Sequence, residues 1–276
     1  MKWEILHRTR FNYSSPVRDS FNEVRLQPQA NDQQSLDSFL LKVLPAARLR
    51  HYSDFYNNII HHFEIPEPHT SLTVESQSRV TTRPGPTLAW DATPFPLARI
   101  DEALRWERSY DFLQPSRFVD TLPETWRLAL DVVGDRQDTW QAALALMHFV
   151  HTHLKYETAS THVHTHMQDV LSQRRGVCQD FAHVLLGLCR VMKIPACYVS
   201  GYLATESASA THAWMEVLIP GVGWRALDPT HNCQPGETYV KIAVGRDYAD
   251  VAPVSGHYVG STDRTLEVSV QIRSVE

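Results

Sequence analysis

Arg175-Gly176-Val177-Cys178-Gln179-Asp180-Phe181 runs from a glycine-containing bend into an apolar-periodic segment. Phe181, Leu185, Leu188 and Met192 recur behind it at helical spacing, and Pro195 closes the run. The pattern predicts a helix over about 177–192 with Cys178 in its first turn. A cysteine attacks only as thiolate, and the unpaired N–H groups and partial positive charge of a helix N-terminus favour that form. Gly176 lets the backbone bend and lets a substrate come close. A buried apolar cysteine is the plain alternative. The polar neighbours Arg174, Arg175, Gln179 and Asp180 weigh against it.

Downstream, Thr211-His212-Ala213-Trp214 and Leu227-Asp228-Pro229-Thr230 supply an imidazole and a carboxylate in the order nucleophile, base, orienter. On a strand over 211–219, His212, Trp214, Glu216 and Leu218 share one face. Pro220-Gly221-Val222-Gly223 turns into a second strand over 224–228. The connection then decides the chemistry. A two- or four-residue loop sets His212 and Asp228 on opposite faces, whereas an odd loop or a bulge makes them neighbours on one face. The sequence predicts the odd loop or bulge, with Asp228 fixing the His212 tautomer while the other ring nitrogen meets the thiol. Taken alone, Asp228-Pro229 reads as a common turn.

Working outward, residues 1–82 read as strands over 3–13, 39–44, 48–56, 59–65 and 72–81, with Asn57-Asn58 as a tight turn. Pro84-Gly85-Pro86 and Pro94-Phe95-Pro96 punctuate the chain, which predicts an N-terminal antiparallel β-sandwich or barrel-like domain over 1–85 and a second domain over 86–276. Helical periodicity continues over 124–133 and 138–154, the latter N-capped by Asp138. After the Cys178 helix come strands over 196–203, 211–219, 224–228, 239–244 and 265–272. Helices packed on an antiparallel sheet make the second domain, and the whole chain, α+β.

A length of 276 residues with 43% hydrophobic and 21% charged side chains is that of a globular protein. A net charge of −5 gives no reason to expect nucleic acid or an anionic membrane as partner. No leader-like h-region opens the chain, and no apolar run approaches a membrane span, so a cytoplasmic location is expected. The cysteines at 178, 189, 197 and 233 then read as free thiols, with Cys189 a core residue.

Fifteen histidines are many. His148, His151 and His153 fall near a helix C-terminus, where a cation is favoured. His162, His164 and His166 alternate, so an extended segment would present three imidazoles on one side, a zinc or nickel hypothesis. No carboxylate or cysteine pattern completes that set, and a solvated loop is the stronger reading. Cys178 with His212 as metal ligands is the sharper rival; the Asp-Pro context and chain order favour catalysis, so neither metal nor cofactor is expected.

The motifs resemble one family closely. Residues 176–183, Ile194-Pro195-Ala196, Tyr198-Val199-Ser200-Gly201-Tyr202, Thr211-His212-Ala213-Trp214, Gly223-Trp224 and Leu227-Asp228-Pro229-Thr230 look like the transglutaminase-like core. The segment 245–253 resembles the stretch just C-terminal to that core in its bacterial branch, and residues 11–28 resemble the same branch's separate N-terminal β region. The resemblance implies a papain-like Cys-His-Asp site with Cys178 as nucleophile, His212 as base and Asp228 as orienter. It further implies cleavage or exchange of a peptide or glutamine-type amide through a thioester. Hydrolysis by a peptidase or amidase ranks above protein crosslinking, because no lysine-binding tunnel is identifiable; a non-catalytic module retaining the fold is the rival from another class. The oxyanion hole is expected to use the Cys178 backbone N–H plus a donor from Gln173 or Gln179, with Tyr156 and Trp214 as further site candidates. Asp180 reads as a structural hydrogen-bonder, to Arg246 or Arg175. Cys197 departs from relatives, which often carry Arg after Pro-Ala. The expected partner is a peptide or protein substrate.

Overall fold

The computed structural model describes residues 1–104, 109–158, 160–205 and 208–275. The N-terminal part is built from β1 (Lys2–Val24), β2 (Gln34–Leu44), β3 (Arg50–Ser53), β4 (Ile59–Ile65) and β5 (His69–Thr82). Strand β1 organises it. Trp3, Ile5, His7, Thr9, Phe11 and Tyr13 alternate inward with Arg8 and Arg10 outward, the period-two pattern of a strand with one covered face. From Lys2 to Asn12 it pairs with β5, and past a register shift its last residues, Ser20 to Val24, pair with β4. Two irregularities, one between Asn12 and Val17 that includes Pro16 and one between Arg18 and Phe21 that includes the positive-φ Asp19, mark the place, and such bulges bend a strand rather than ending it. That is why a strand expected over 3–13 runs on to Val24 and curls its sheet into a half-barrel.

The core comes next: α1 (Ile100–Leu104), α2 (Pro123–Val133), α3 (Thr139–His153), β6 (Lys155–Tyr156), α4 (Met167–Gln173), β7 (Arg175–Gly176) and α5 (Cys178–Val191). Asp138 caps α3 by accepting from the N–H groups of Trp140 and Gln141 at 2.8 and 3.2 Å. Four antiparallel strands, β8 (Ala196–Thr205), β9 (Ala208–Ile219), β10 (Gly223–Leu227) and β11 (Tyr239–Gly245), lie in the order β10-β9-β8-β11. Helix α5 packs against β8 and β9 on one side and α2, α3 and α4 on others. Everything in it from Asp180 to Arg190 is buried. A central helix enclosed in this way holds its N-terminus fixed, which is what a nucleophile at that end requires.

The chain closes with α6 (Tyr248–Val251), β12 (Val254–Val259) and β13 (Arg264–Ser274). Residues 254–274 belong with the core by chain position, yet they complete the N-terminal sheet: β13 pairs with β1 from Trp3 to Tyr13, and β12 pairs with it from Phe21 to Val24. The division at 85/86 therefore cuts the chain but not the sheet. Periodicity finds a strand but carries no information about which distant edge it will meet. Trp3, Ile5 and Val80 of the half-barrel belong to the same apolar cluster as Trp140, Phe181 and Leu185 of the core. Trp3 Nε1 fastens the joint, donating to Thr82 Oγ1 and to the carbonyl of Glu237, each at 3.1 Å. Among the described residues no helix is long and apolar enough to cross a membrane.

Candidate active site

Cys178 is the first residue of α5, so its N–H and that of Gln179 are among the helix-start amides without an intrahelical acceptor. Just before it, Asp180 Oδ2 accepts from Val177 N at 2.8 Å and from Thr161 Oγ1 at 2.6 Å. This clamps the bend into the helix. Arg246 and Arg175, the partners expected for Asp180, are engaged elsewhere, by Asp250 and Glu157. Gly176 is demanded by contact: a Cβ there would meet Asp180 Cβ at 2.6 Å.

Strand β10 opens with Gly223 opposite Ile219, leaving three residues in the turn, and the pairing ends at Leu227 opposite Met215. Continuing that odd-loop register sets Asp228 opposite Trp214, on the face that carries His212. The predicted register thus holds, and His212 Nε2 lies 2.8 Å from Asp228 Oδ2. The other ring nitrogen remains for the thiol of Cys178, which lines the same cleft as His212. Burial opposes charge on His212, but the hydrogen bonds to Asp228 and Cys178 and their negative charge outweigh it, raising the imidazole from 6.5 to about 9.

Asp228 is wholly buried and saturated with donors. Its Oδ2 also accepts from Tyr239 Oη at 2.7 Å and meets His231 Nδ1 at 2.7 Å, while Oδ1 accepts from the N–H groups of Thr230 and His231 at 2.8 and 3.3 Å. Burial alone would raise this carboxyl; the hydrogen bonds from His212, His231 and Tyr239, with the His212 charge, hold it well below the usual carboxylate range. Tyr239 and His231 are the residues sequence reasoning missed. The signal for them was the short loop after Asp228, closed by the reciprocal backbone bonds of Asp228 and Cys233, which returns His231 onto the carboxylate. His151 at the end of α3 braces that loop, its Nδ1 lying 3.2 and 3.1 Å from the carbonyls of Pro229 and Thr230.

Trp214 is buried with its ring stacked toward His212 at 6.2 Å. Gly201, opposite His212 on β8, makes room for it, since a Cβ there would meet the Trp214 ring at 2.4 Å and the Val240 carbonyl at 2.3 Å. Tyr156 pairs with Gly176 across β6 and β7. Burial and then the negative charge of Cys178 push its phenol up. Gln179 borders the cleft, but its amide donates to the carbonyl of Val163 at 3.2 Å. Gln173, exposed at the end of α4, is not brought to the cleft.

The three alternating histidines do not converge. The segment turns, with Thr165 N bonded to the His162 carbonyl at 2.9 Å. His166 caps α4, accepting from Gln168 N at 3.3 Å, and its Nε2 lies 3.5 Å from Asp120. Among the described residues the group compact enough to hold an ion is instead His212, Asp228 and His231, whose ligand atoms lie within 4.8 Å of one another. Hydrogen bonds already occupy that carboxylate. Of the remaining cysteines, Cys189 and Cys197 are buried, and burial pushes Cys189 up to about 12 and Cys197 higher still; Cys233 is half-buried, and burial raises it as well.

A cleft of about 310 Å³ exposes Cys178 and His212 between the core and the half-barrel. Its far wall is the inward face of β1, from His7 to Phe11, with Leu266 and Val268 of β13. The C-terminal strand is thus part of the site.

Two family models match the chain, the bacterial transglutaminase-like N-terminal region over residues 3–81 and the transglutaminase-like superfamily over 127–229. The uncharacterized protein ML0607 of Mycobacterium leprae is 34% identical over 283 residues, spanning 98% of each chain. This chain belongs to the transglutaminase-like superfamily. The uncharacterized protein Rv2569c of Mycobacterium tuberculosis is 33% identical, over 98% of this chain and 92% of its own. A crystal structure from Cytophaga hutchinsonii, described as that of a candidate cysteine protease, matches all of this chain and 92% of its own at a TM-score of 0.83 and 25% identity. Transglutaminase-like identity and that neighbour support a cysteine-dependent enzyme in general.

Proposed function

We propose that this transglutaminase-like protein is a cysteine-dependent amide hydrolase acting on peptide or glutamine-type amides through a thioester, with Cys178 as nucleophile, His212 as base and acid, and Asp228 as orienter. The observation that carries the reading is His212, hydrogen-bonded to Asp228, lining one open cleft together with Cys178. In the first half-reaction the Cys178 sulfur attacks the amide carbonyl carbon. As the tetrahedral species collapses the C–N bond breaks, and the proton on His212 passes to the departing amine. Water then attacks the thioester, gives its proton to His212, and expels the thiolate with the carboxylic acid as product. An amine in place of water gives transamidation by the same steps.

The Cys178 N–H, free at the helix start, is one oxyanion donor in this proposal. Of the side-chain candidates, Gln179 is the one that borders the cleft, and its amide would have to leave the Val163 carbonyl to serve as the second donor. The proposal includes a cytoplasmic location, a reducing setting that suits a thiol nucleophile.

The test is mass spectrometry of peptide libraries incubated with wild type and Cys178→Ala, with and without added amine. New termini or a one-dalton-scale deamidation, absent from the variant, is the expected result. An amine adduct as the main product would make crosslinking or transamidation the function, and no product of any kind would favour a binding module.

A further inference from the structure

The cleft at Cys178 does not end at the thiol. A second hollow of about 380 Å³ adjoins it, sharing Phe11, Val163, Tyr248, Val254 and Leu266 as walls. Those shared residues are apolar or aromatic, and beyond them the hollow reaches Arg117 and Arg264. Each guanidinium lies over an aromatic ring, Arg117 5.4 Å from the centroid of Phe118 and Arg264 5.6 Å from that of Phe11. Such stacking holds an arginine in place while leaving its fork of donors open.

Among the described residues neither arginine has a carboxylate within ion-pair distance, although Arg8, Arg79, Arg246 and Arg273 all do. No Asp or Glu lines either hollow. The nearby acids are turned to other work: Asp247 is buried and accepts from the N–H groups of Phe118 and Ala249, and Asp250 is paired with Arg246. In a chain with 31 acidic and 26 basic residues, a groove free of acids and ending in two unpaired guanidinium groups goes against the overall balance. Away from His212, the arginines supply the groove's positive charge; the cleft histidine on β1 adds none, since burial pushes His7 down to about 4.

Building on the function proposed above, we infer that the preferred substrates carry a carboxylate separated from the reacting amide by an apolar stretch, the apolar part lying along Phe11 and Leu266 and the carboxylate meeting Arg117 and Arg264. A carboxylate accepts a guanidinium's paired donors bidentately, which fixes register as well as adding affinity. The carboxylate can be an Asp or Glu side chain or a peptide's own C-terminus, and both present the same group.

The test compares kcat/KM for matched peptides with Glu or Gln at each position flanking the cleaved amide, and with a C-terminal acid or amide, in wild type and in Arg117→Gln/Arg264→Gln. Wild type is expected to favour one acidic form about tenfold or more at low salt, the preference shrinking as salt screens an exposed contact. In the double variant the acid-to-neutral ratio should fall toward one. Equal rates for acidic and neutral peptides, or a preference untouched in the double variant, would overturn the inference while leaving the thiol chemistry standing. Fluorescence anisotropy of the same peptides on Cys178→Ala separates the two proposals. Tighter binding of acidic peptides that depends on the arginines supports the groove assignment even where no peptide is cleaved; charge-blind binding overturns it.

Discussion

His212 and Asp228 stand 2.8 Å apart, Nε2 to Oδ2, although a hairpin separates them in sequence and only the strand register lets them share a face. The relationship ties the chemistry to backbone register. With the Gly223–Ile219 pairing kept, one residue inserted into β10 after Arg225 would turn Asp228 to the opposite face, whereas a residue inserted into the turn at 220–222 only lengthens the loop and leaves Asp228 opposite Trp214. A one-alanine insertion after Arg225 should therefore abolish turnover and lower the thermal midpoint, and a one-glycine insertion after Gly221 should retain most of both. Equal activity from the two insertions would show that the contact does not depend on strand register.

The elevated imidazole predicts a pH dependence with a definite sign. His212 rises from 6.5 to about 9 on folding, so the charged form is favoured in the native state by about 3 kcal/mol, at 1.36 kcal/mol per unit. That stabilisation is fully present below about pH 6.5 and is lost as pH rises toward about 9. Asp228 moves the other way, its contribution present above the ordinary carboxylate range and lost as pH falls through and below it. Denaturant titrations at pH 6 and 9.5 should show wild type losing more stability than His212→Gln over that interval. A parallel loss in both proteins would mean that the coupling is absent.

Tyr239→Phe isolates one of the three side-chain groups gathered on Asp228 Oδ2. The phenol donates at 2.7 Å to an oxygen with no access to water, so its removal should cost about 1–3 kcal/mol in unfolding free energy. Through a less firmly held Asp228 it should also lower kcat/KM about tenfold. The discriminating readout is the upper pH limit of activity, which should move upward, because a carboxylate relieved of one donor is a more basic acceptor for His212. A variant that loses stability with an unchanged pH profile would reduce Tyr239 to a packing role.

Legibility in the sequence divides along a physical line. Local patterns are sufficient for α5 and its N-terminal thiol, for the Asp138 cap and for the β9–β10 register, because each is decided within one or two turns of chain. The β4 strand, predicted over 59–65, runs from Ile59 to Ile65 for the same reason. The strand expected over 48–56 shortens to Arg50–Ser53, because the Asp54 side chain accepts from the N–H groups of Tyr56 and Asn58 and closes a turn around the positive-φ Asn57. What stays hidden is non-local: the pairing of β12 and β13 with β1, and the convergence of Tyr239 and His231 on Asp228. Helix α4 has seven residues, too few for a 3.6-residue period to declare itself. Gln173 is a fair oxyanion donor by its distance along the chain, but the left-handed Arg174 that ends α4 leaves it facing solvent.

The bend at Gly176 makes a further prediction about how the thiol is held. Gly176→Ala would drive a Cβ to within 2.6 Å of Asp180 Cβ and 2.7 Å of its Oδ2. Relief requires Asp180 to release Val177 N or the start of α5 to shift, a cost of about 1–3 kcal/mol by the usual scale for overpacking. The thermal midpoint should fall, and alkylation of Cys178 by iodoacetamide should slow relative to wild type at the same pH. Alkylation at the wild-type rate, with stability lowered, would confine the Asp180 clamp to folding.

Chelation provides the remaining discrimination, because imidazole, carboxylate and thiol are also metal ligands. Every acceptor position of Asp228 is met by a proton donor: His212, His231 and Tyr239 on Oδ2, and the N–H groups of Thr230 and His231 on Oδ1. An ion at His212, Asp228 and His231 would have to displace at least two of those hydrogen bonds, and it would remove the imidazole from proton transfer. Activity should therefore survive prolonged treatment with a strong chelator, and added zinc should inhibit, less potently in His231→Ala. Loss of turnover under chelation, restored by one divalent metal in stoichiometric amount, would make the cluster a metal centre and replace the thiol mechanism.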